Sequence, residues 1–142
     1  MIALPAPTDL LPHRPPFLFV DRLQALEPGR SATGEWHLIG DEWFFAGHFP
    51  GRPTLPGVLM CEAIAQVGAI AVLADPRFTG KLPLFGGLDG ARFRRQVSPG
   101  DTLTLVVELT KMSARAGKGT GRALLGDAVA CECELMFVLV DA

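Results

Sequence analysis

Between Asp101 and Thr110 apolar and polar residues alternate. Leu103, Leu105, Val107 and Leu109 fall on one side, with Thr102, Thr104, Glu108 and Thr110 on the other. A period of two is that of a strand with one face covered. Val129, Cys131, Cys133, Leu135, Phe137 and Leu139 repeat it. Gly126-Asp127, between Leu125 and Ala128, is placed for a hairpin turn, and Pro99-Gly100 for another. Phe17 to Leu26 and Arg30 to Leu38 read as strands on either side of the Pro28-Gly29 turn signal. Leu82 to Leu88 and Ala91 to Val97 are less regular but strand-like. Asp41 to Phe45 reads as a short helical turn, and Gly117 to Gly121 as a flexible strand entrance.

Val58 to Ala74 breaks this rhythm. It is apolar nearly all round, and a helix with no polar face must be covered on every side. The pattern predicts an α+β domain over residues 1–142. One long buried helix is wrapped by a curled antiparallel β-sheet of about six or seven strands. Ala46 to Pro56 holds Gly47, Pro50, Gly51, Pro53 and Pro56. Prolines fix φ and glycines take the unusual angles, so this is a stiff, shaped loop leading into the helix.

A chain of 142 residues suits one domain with a modest core, and its net charge of -2 offers no field for nucleic acid. Its three cysteines, Cys61, Cys131 and Cys133, read as small core residues with free thiols in a reducing compartment. Met1 to Leu11 lacks the Lys or Arg that precedes the apolar run of a signal peptide. The apolar stretch from Leu55 to Ala74 is interrupted by Glu62 and Gln66, which disfavours a membrane span. A cytoplasmic protein is expected.

Glu62 lies one turn into the apolar helix. A buried carboxylate must be paired, hydrogen-bonded or protonated. Gln66 follows four residues later on the same face, so the two form a polar stripe. A structural pair that anchors the helix is the plainer reading of it. His48 stands in the stiff loop, which can aim it toward Glu62 within one chain or across a subunit interface. Pro56 has no N–H, so Gly57 and Val58 supply the first donors of the helix start, a place that favours negative charge. A base, an acid and a helix-terminal donor suit proton abstraction beside a carbonyl. Ser31, Ser98 and Ser113 stand in no nucleophile motif. His13, His37 and His48 lack metal-ligand spacing. The Gly117-to-Gly121 run lacks the full phosphate-loop pattern. Neither metal nor cofactor is expected.

Gly47-His48-Phe49-Pro50-Gly51-Arg52-Pro53, then Leu55-Pro56-Gly57-Val58 and Glu62-Ala63-Ile64-Ala65-Gln66, closely resemble the (3R)-hydroxyacyl-acyl-carrier-protein dehydratases of bacterial type II fatty acid synthesis. Leu11-Pro12-His13-Arg14 with Pro16-Phe17-Leu18 and Val20-Asp21-Arg22, Ala91-Arg92-Phe93 with Pro99-Gly100-Asp101, and Cys131 to Phe137 extend the likeness over almost the whole chain. The resemblance implies a hotdog fold and a homodimer, commonly a trimer of dimers. It implies a hydro-lyase in which His48 and Glu62 come from opposite subunits. Gly57 then offers its amide to the thioester carbonyl, Gln66 supports Glu62, and Phe49 and Val58 line the substrate site. An acidic acyl carrier protein is the implied partner. Arg92, Arg94 and Arg95, with Arg77 and Lys81 near in sequence, are candidates to dock it. Strand alternation puts Arg92 and Arg94 on one face and Arg95 on the other. Pro15 replaces a tyrosine frequent in the family, while a sister group that also isomerises carries aspartate at the Glu62 position. A hotdog thioesterase, a coenzyme A enoyl hydratase and a non-catalytic acyl-binding module are the competing readings.

Overall fold

The computed structural model describes residues 3–142, so Met1 and Ile2 of the opening segment lie outside the described residues. In chain order the elements are a short helix α1 (Pro7–Leu10), β1 (Arg22–Glu27), β2 (Ser31–His37), the long helix α2 (Gly57–Leu73), a 3-10 turn (Pro76–Phe78), β3 (Lys81–Phe93), β4 (Thr102–Met112), β5 (Ala116–Leu125) and β6 (Ala128–Asp141). Six strands form one antiparallel sheet in the order β1-β2-β4-β5-β6-β3, open at its β1 and β3 edges. Helix α2 packs against every strand from β2 to β6. This is the α+β architecture that the alternation and the apolar helix predict.

The core is where the two periods meet. Leu103, Leu105 and Val107 of β4 and Cys133, Leu135, Phe137 and Leu139 of β6 are buried, as are Met60, Cys61 and the run from Ala63 to Val72 of α2. The three cysteines are free and buried, with the Cys61 and Cys131 sulfurs 3.9 Å apart.

Three expectations need correction. The glycines of Gly117 to Gly121 belong to the full strand β5, and Gly117, Gly119 and Gly121 are on its buried side. A Cβ on Gly121 would run into Cγ2 of Ile64, so the missing side chain is what lets α2 approach the sheet. Leu82 to Leu88 and the start of Ala91 to Val97 are one strand, β3. Its glycines fall at the register shifts between Phe85 and Gly87 and between Asp89 and Arg92, so they bend the strand and do not end it. Phe17 to Val20 is not a strand: the Phe17 N–H turns back to the Arg14 carbonyl at 2.9 Å, and a side chain takes the place of a neighbouring strand. Gln66 Oε1 accepts from the Phe19 N–H at 2.8 Å, and its Nε2 donates to the Phe17 carbonyl at 3.0 Å.

Candidate active site

The loop before α2 fixes His48 through its own backbone. The Thr54 N–H donates to the His48 carbonyl at 2.7 Å, and Phe49 and Arg52 exchange N–H to carbonyl bonds at 3.2 and 2.9 Å. Gly51 sits at φ +76°, an angle glycine takes without strain. The His48 ring stacks on Phe49, and its Nδ1 lies 2.9 Å from the Thr54 carbonyl. A carbonyl only accepts, so Nδ1 carries the proton and Nε2 keeps its lone pair.

His48 opens on a cavity of about 580 Å³ with Phe49, Arg52, Gly57, Val58, Phe93, Arg94 and Arg95 among its walls. Gly57 is the first residue of α2. Its N-cap, Pro56, makes no side-chain cap; the Leu59 N–H donates to the Pro56 carbonyl at 3.0 Å, which leaves the Gly57 and Val58 N–H groups unspent. A Cβ on Gly57 would stand 2.7 Å from the Phe93 ring, so only glycine allows that approach. The Val58 side chain is 67% exposed and faces the same space.

Glu62 lies elsewhere. It opens on a second cavity of about 380 Å³, walled by Pro12, His13 and Phe17, by Ala65, Gln66 and Ala69 of α2, and by the Leu82–Phe85 stretch and Phe137. Burial pushes its carboxyl above the usual value, and the Gln66 hydrogen bond, 3.0 Å from Nε2 to Oε2, opposes that rise. Gln66 is fully buried with its amide satisfied on both ends. It therefore anchors the opening segment and holds Glu62 at once. Within the chain His48 and Glu62 open on different cavities.

The basic residues separate. β3 ends at Phe93, and the Arg94 and Arg95 amides both donate to the Ala130 carbonyl, at 2.7 and 3.3 Å. Strand alternation does not reach them, and both line the His48 cavity. Arg94 is held by Glu132 through Nε and Nη2, whereas Arg95 has no acidic partner among the described residues. Arg92 stays on the strand, opposite Glu132. Lys81 and Arg77 pair with Asp141 and Asp75, near the other end of β3, and are not part of this rim. Thr54 and Phe93 escaped the sequence reading. Thr54 acts through a carbonyl that every residue owns, and Phe93 through the path of a strand. Among the described residues no three metal-capable side chains cluster, and no helix is long and apolar enough to cross a membrane.

Residues 11–134 match the FabA-like domain family. The chain is 56% identical over 130 residues to the 3-hydroxyacyl-acyl-carrier-protein dehydratase FabZ of Moorella thermoacetica, covering 92% of this chain and 91% of that one. It is 52% identical over 141 residues to the FabZ of Chloroflexus aggregans, covering 99% and 98%. Among solved structures it resembles a dehydratase heterocomplex from Xenorhabdus doucetiae, with TM-score 0.78, 14% identity and 98% and 93% of the two chains covered. It also resembles a thioesterase from Pseudomonas aeruginosa, with TM-score 0.63, 16% identity and 85% and 81% covered. At such identities these two likenesses speak for the hotdog fold alone. By the family match and the identity to its relatives, the chain belongs to the FabA-like family, among the FabZ-type 3-hydroxyacyl-acyl-carrier-protein dehydratases.

Proposed function

We infer that the chain is a hydro-lyase that converts a (3R)-hydroxyacyl group on acyl carrier protein to the trans-2-enoyl group, in fatty acid elongation in the cytoplasm. The observation that carries the reading is the placement of Glu62, a carboxyl on a mostly apolar cavity wall, held by the buried Gln66 amide and with its pKa raised by burial. His48 Nε2 takes the C2 proton, while the Gly57 N–H meets the charge that grows on the thioester oxygen. Glu62 gives its proton to the C3 hydroxyl, the C3–O bond breaks, and water leaves as the C2–C3 double bond forms. The Phe85, Phe137 and Ala69 side of the Glu62 cavity receives the acyl tail.

The site is assembled by two copies. The His48 cavity reaches the C-terminal end of β3 at Phe93, and the Glu62 cavity its N-terminal part at Leu82–Phe85. β3 is a sheet edge with Leu84, Leu88 and Phe93 exposed, a surface that invites pairing. Antiparallel pairing of β3 with its own copy brings opposite ends together. The His48 cavity of one subunit then faces the Glu62 cavity of the other, at two equivalent sites. Three such dimers form the hexamer. Arg95 and its neighbours at the rim meet the acidic carrier.

The test is to incubate the protein with 3-hydroxyacyl groups on carrier protein and on a small thioester mimic, following enoyl product and free thiol. Enoyl product that falls at least ~1000-fold in His48→Ala is expected. Free thiol without enoyl product would move the chain to the thioesterases, and neither product to the acyl-binding modules. Arg95→Glu should slow the carrier substrate about tenfold and leave the mimic within about twofold. Equal losses on both would remove the docking role.

A further inference from the structure

The opening segment delivers a histidine that the mechanism leaves unused. His13 stands on the wall of the Glu62 cavity. Next to it, Arg14 spends its guanidinium on the carbonyls of Leu11 and His13, each at 2.7 Å, and of Thr8 at 3.3 Å, which pins the backbone there. His13 Nε2 is 3.8 Å from Glu62 Oε2, and the two side chains are only 24% and 21% exposed. His13 Nδ1 is buried with no hydrogen-bond partner.

That orphan nitrogen decides the tautomer. A proton on Nδ1 would leave a buried N–H with no acceptor, and such orphaned donors are the rarer and costlier kind. The proton belongs on Nε2, facing Glu62. Burial also lowers the His13 pKa, which keeps the ring neutral. Oε2 of Glu62 therefore faces two N–H groups, that of Gln66 at 3.0 Å and that of His13. Among the described residues no hydrogen bond is made to Oε1.

We propose that His13 is a positioning residue which, with Gln66, reserves Oε2 of Glu62 for protein donors, so that Oε1 is the atom that carries the proton to the substrate. The role of that proton rests on the dehydratase reading, whereas the division of the two oxygens does not. When the Oε1–H bond breaks, its electron pair stays on the carboxylate and the charge is shared with Oε2. The His13 N–H is too far for a hydrogen bond to the neutral acid and closes as charge develops. An interaction stronger in the transition state than in the ground state accelerates the step. Around Glu62 the opening segment, α2, β3 and β6 present no titratable side chain besides His13 among the lining residues. In the assembled site His48 of a second copy is a further one, and it is the same in every variant.

The test is a carbon-13 titration of the Glu62 carboxyl in the full chain, with the pH profile of kcat measured alongside, for wild type, His13→Phe and His13→Gln. The phenyl ring removes the donor, so the carboxylate is less stabilised. Its titration should move up by about one unit, with kcat about tenfold lower. The high-pH limb, where Glu62 loses its acid form, should move up with it. The glutamine amide restores an N–H near the Nε2 position, and both titration and limb should return to wild type. Should His13→Phe not fold, His13→Leu carries the same expectation. A Glu62 titration unmoved by the apolar variants, or moved equally by glutamine, overturns the proposal whatever the rate. The expected titrations in an enzyme silent on hydroxyacyl thioesters would support the role of His13 and remove only the dehydratase reading.

Discussion

A carboxyl that burial holds above its ordinary value costs the fold something once it ionises. The sign follows from linkage. Folded Glu62 binds its proton more tightly than the unfolded chain, whose value is near 4.5, so its contribution to stability is complete below that pH. The contribution is lost as pH rises through the folded value. Glu62→Gln removes the titration while keeping the shape. The variant should melt with the wild type at about pH 4 and above it at pH 8, by up to about 4 °C. Wild type melting higher at pH 8 would mean that the carboxylate is stabilised by its surroundings. At this scale the sequence is informative wherever a polar residue interrupts an apolar run. Glu62 and Gln66 stand out for that reason, and His48 for its place in a proline-rich loop. What is not legible is the partner that acts by backbone, such as the Thr54 carbonyl on His48 Nδ1. The opening segment names His13 but does not place it beside Glu62.

Elements are legible by period and obscured by glycine. The alternation in β4 and β6 predicts both strands, and the all-round apolarity of α2 predicts its burial. Glycine in β5 and β3 suggests looseness, because glycine has no side chain to reveal a face. In β5 every second residue from Gly117 to Gly121 is the small one toward the helix, a period of two written in absences. Gly121→Ala should cost about 1–3 kcal/mol in urea unfolding, because the new methyl meets Ile64 in a packed interior. Gly121→Ala with Ile64→Ala should lose less than the sum of the two single changes. Strict additivity would show that the two positions do not touch. The Phe17–Val20 run shows the opposite failure. Its apolar residues promise a strand, yet the Gln66 amide takes the place of a neighbouring chain.

The molecule as a whole is an open sheet whose edge strand borders two cavities, one holding His48 and the other Glu62. Nothing in the periodicity says that the loop before α2 and the second turn of α2 open on different cavities, since neighbours in sequence suggest neighbours in space. Helix α2 separates them by turning its Gly57 start toward Phe93 and its Glu62 face toward Phe17 and Phe85. The edge strand β3 touches both, and in the proposed dimer a symmetric pair of chains reunites what one chain keeps apart.

That separation has a genetic meaning. If each working site draws its base from one subunit and its acid from the other, two chains damaged at different places can repair each other. Subunits of His48→Ala and Glu62→Gln, each inactive alone, should regain about a quarter of wild-type activity when dissociated, mixed in equal amounts and reassembled, because half the dimers are mixed and each of these holds one intact site. No recovery, in a mixture shown to contain mixed dimers, would return both groups to a single chain. With recovery, two lesions carried on separate copies of the gene would behave as complementary alleles, and a cell expressing both chains would regain activity that neither chain supplies alone.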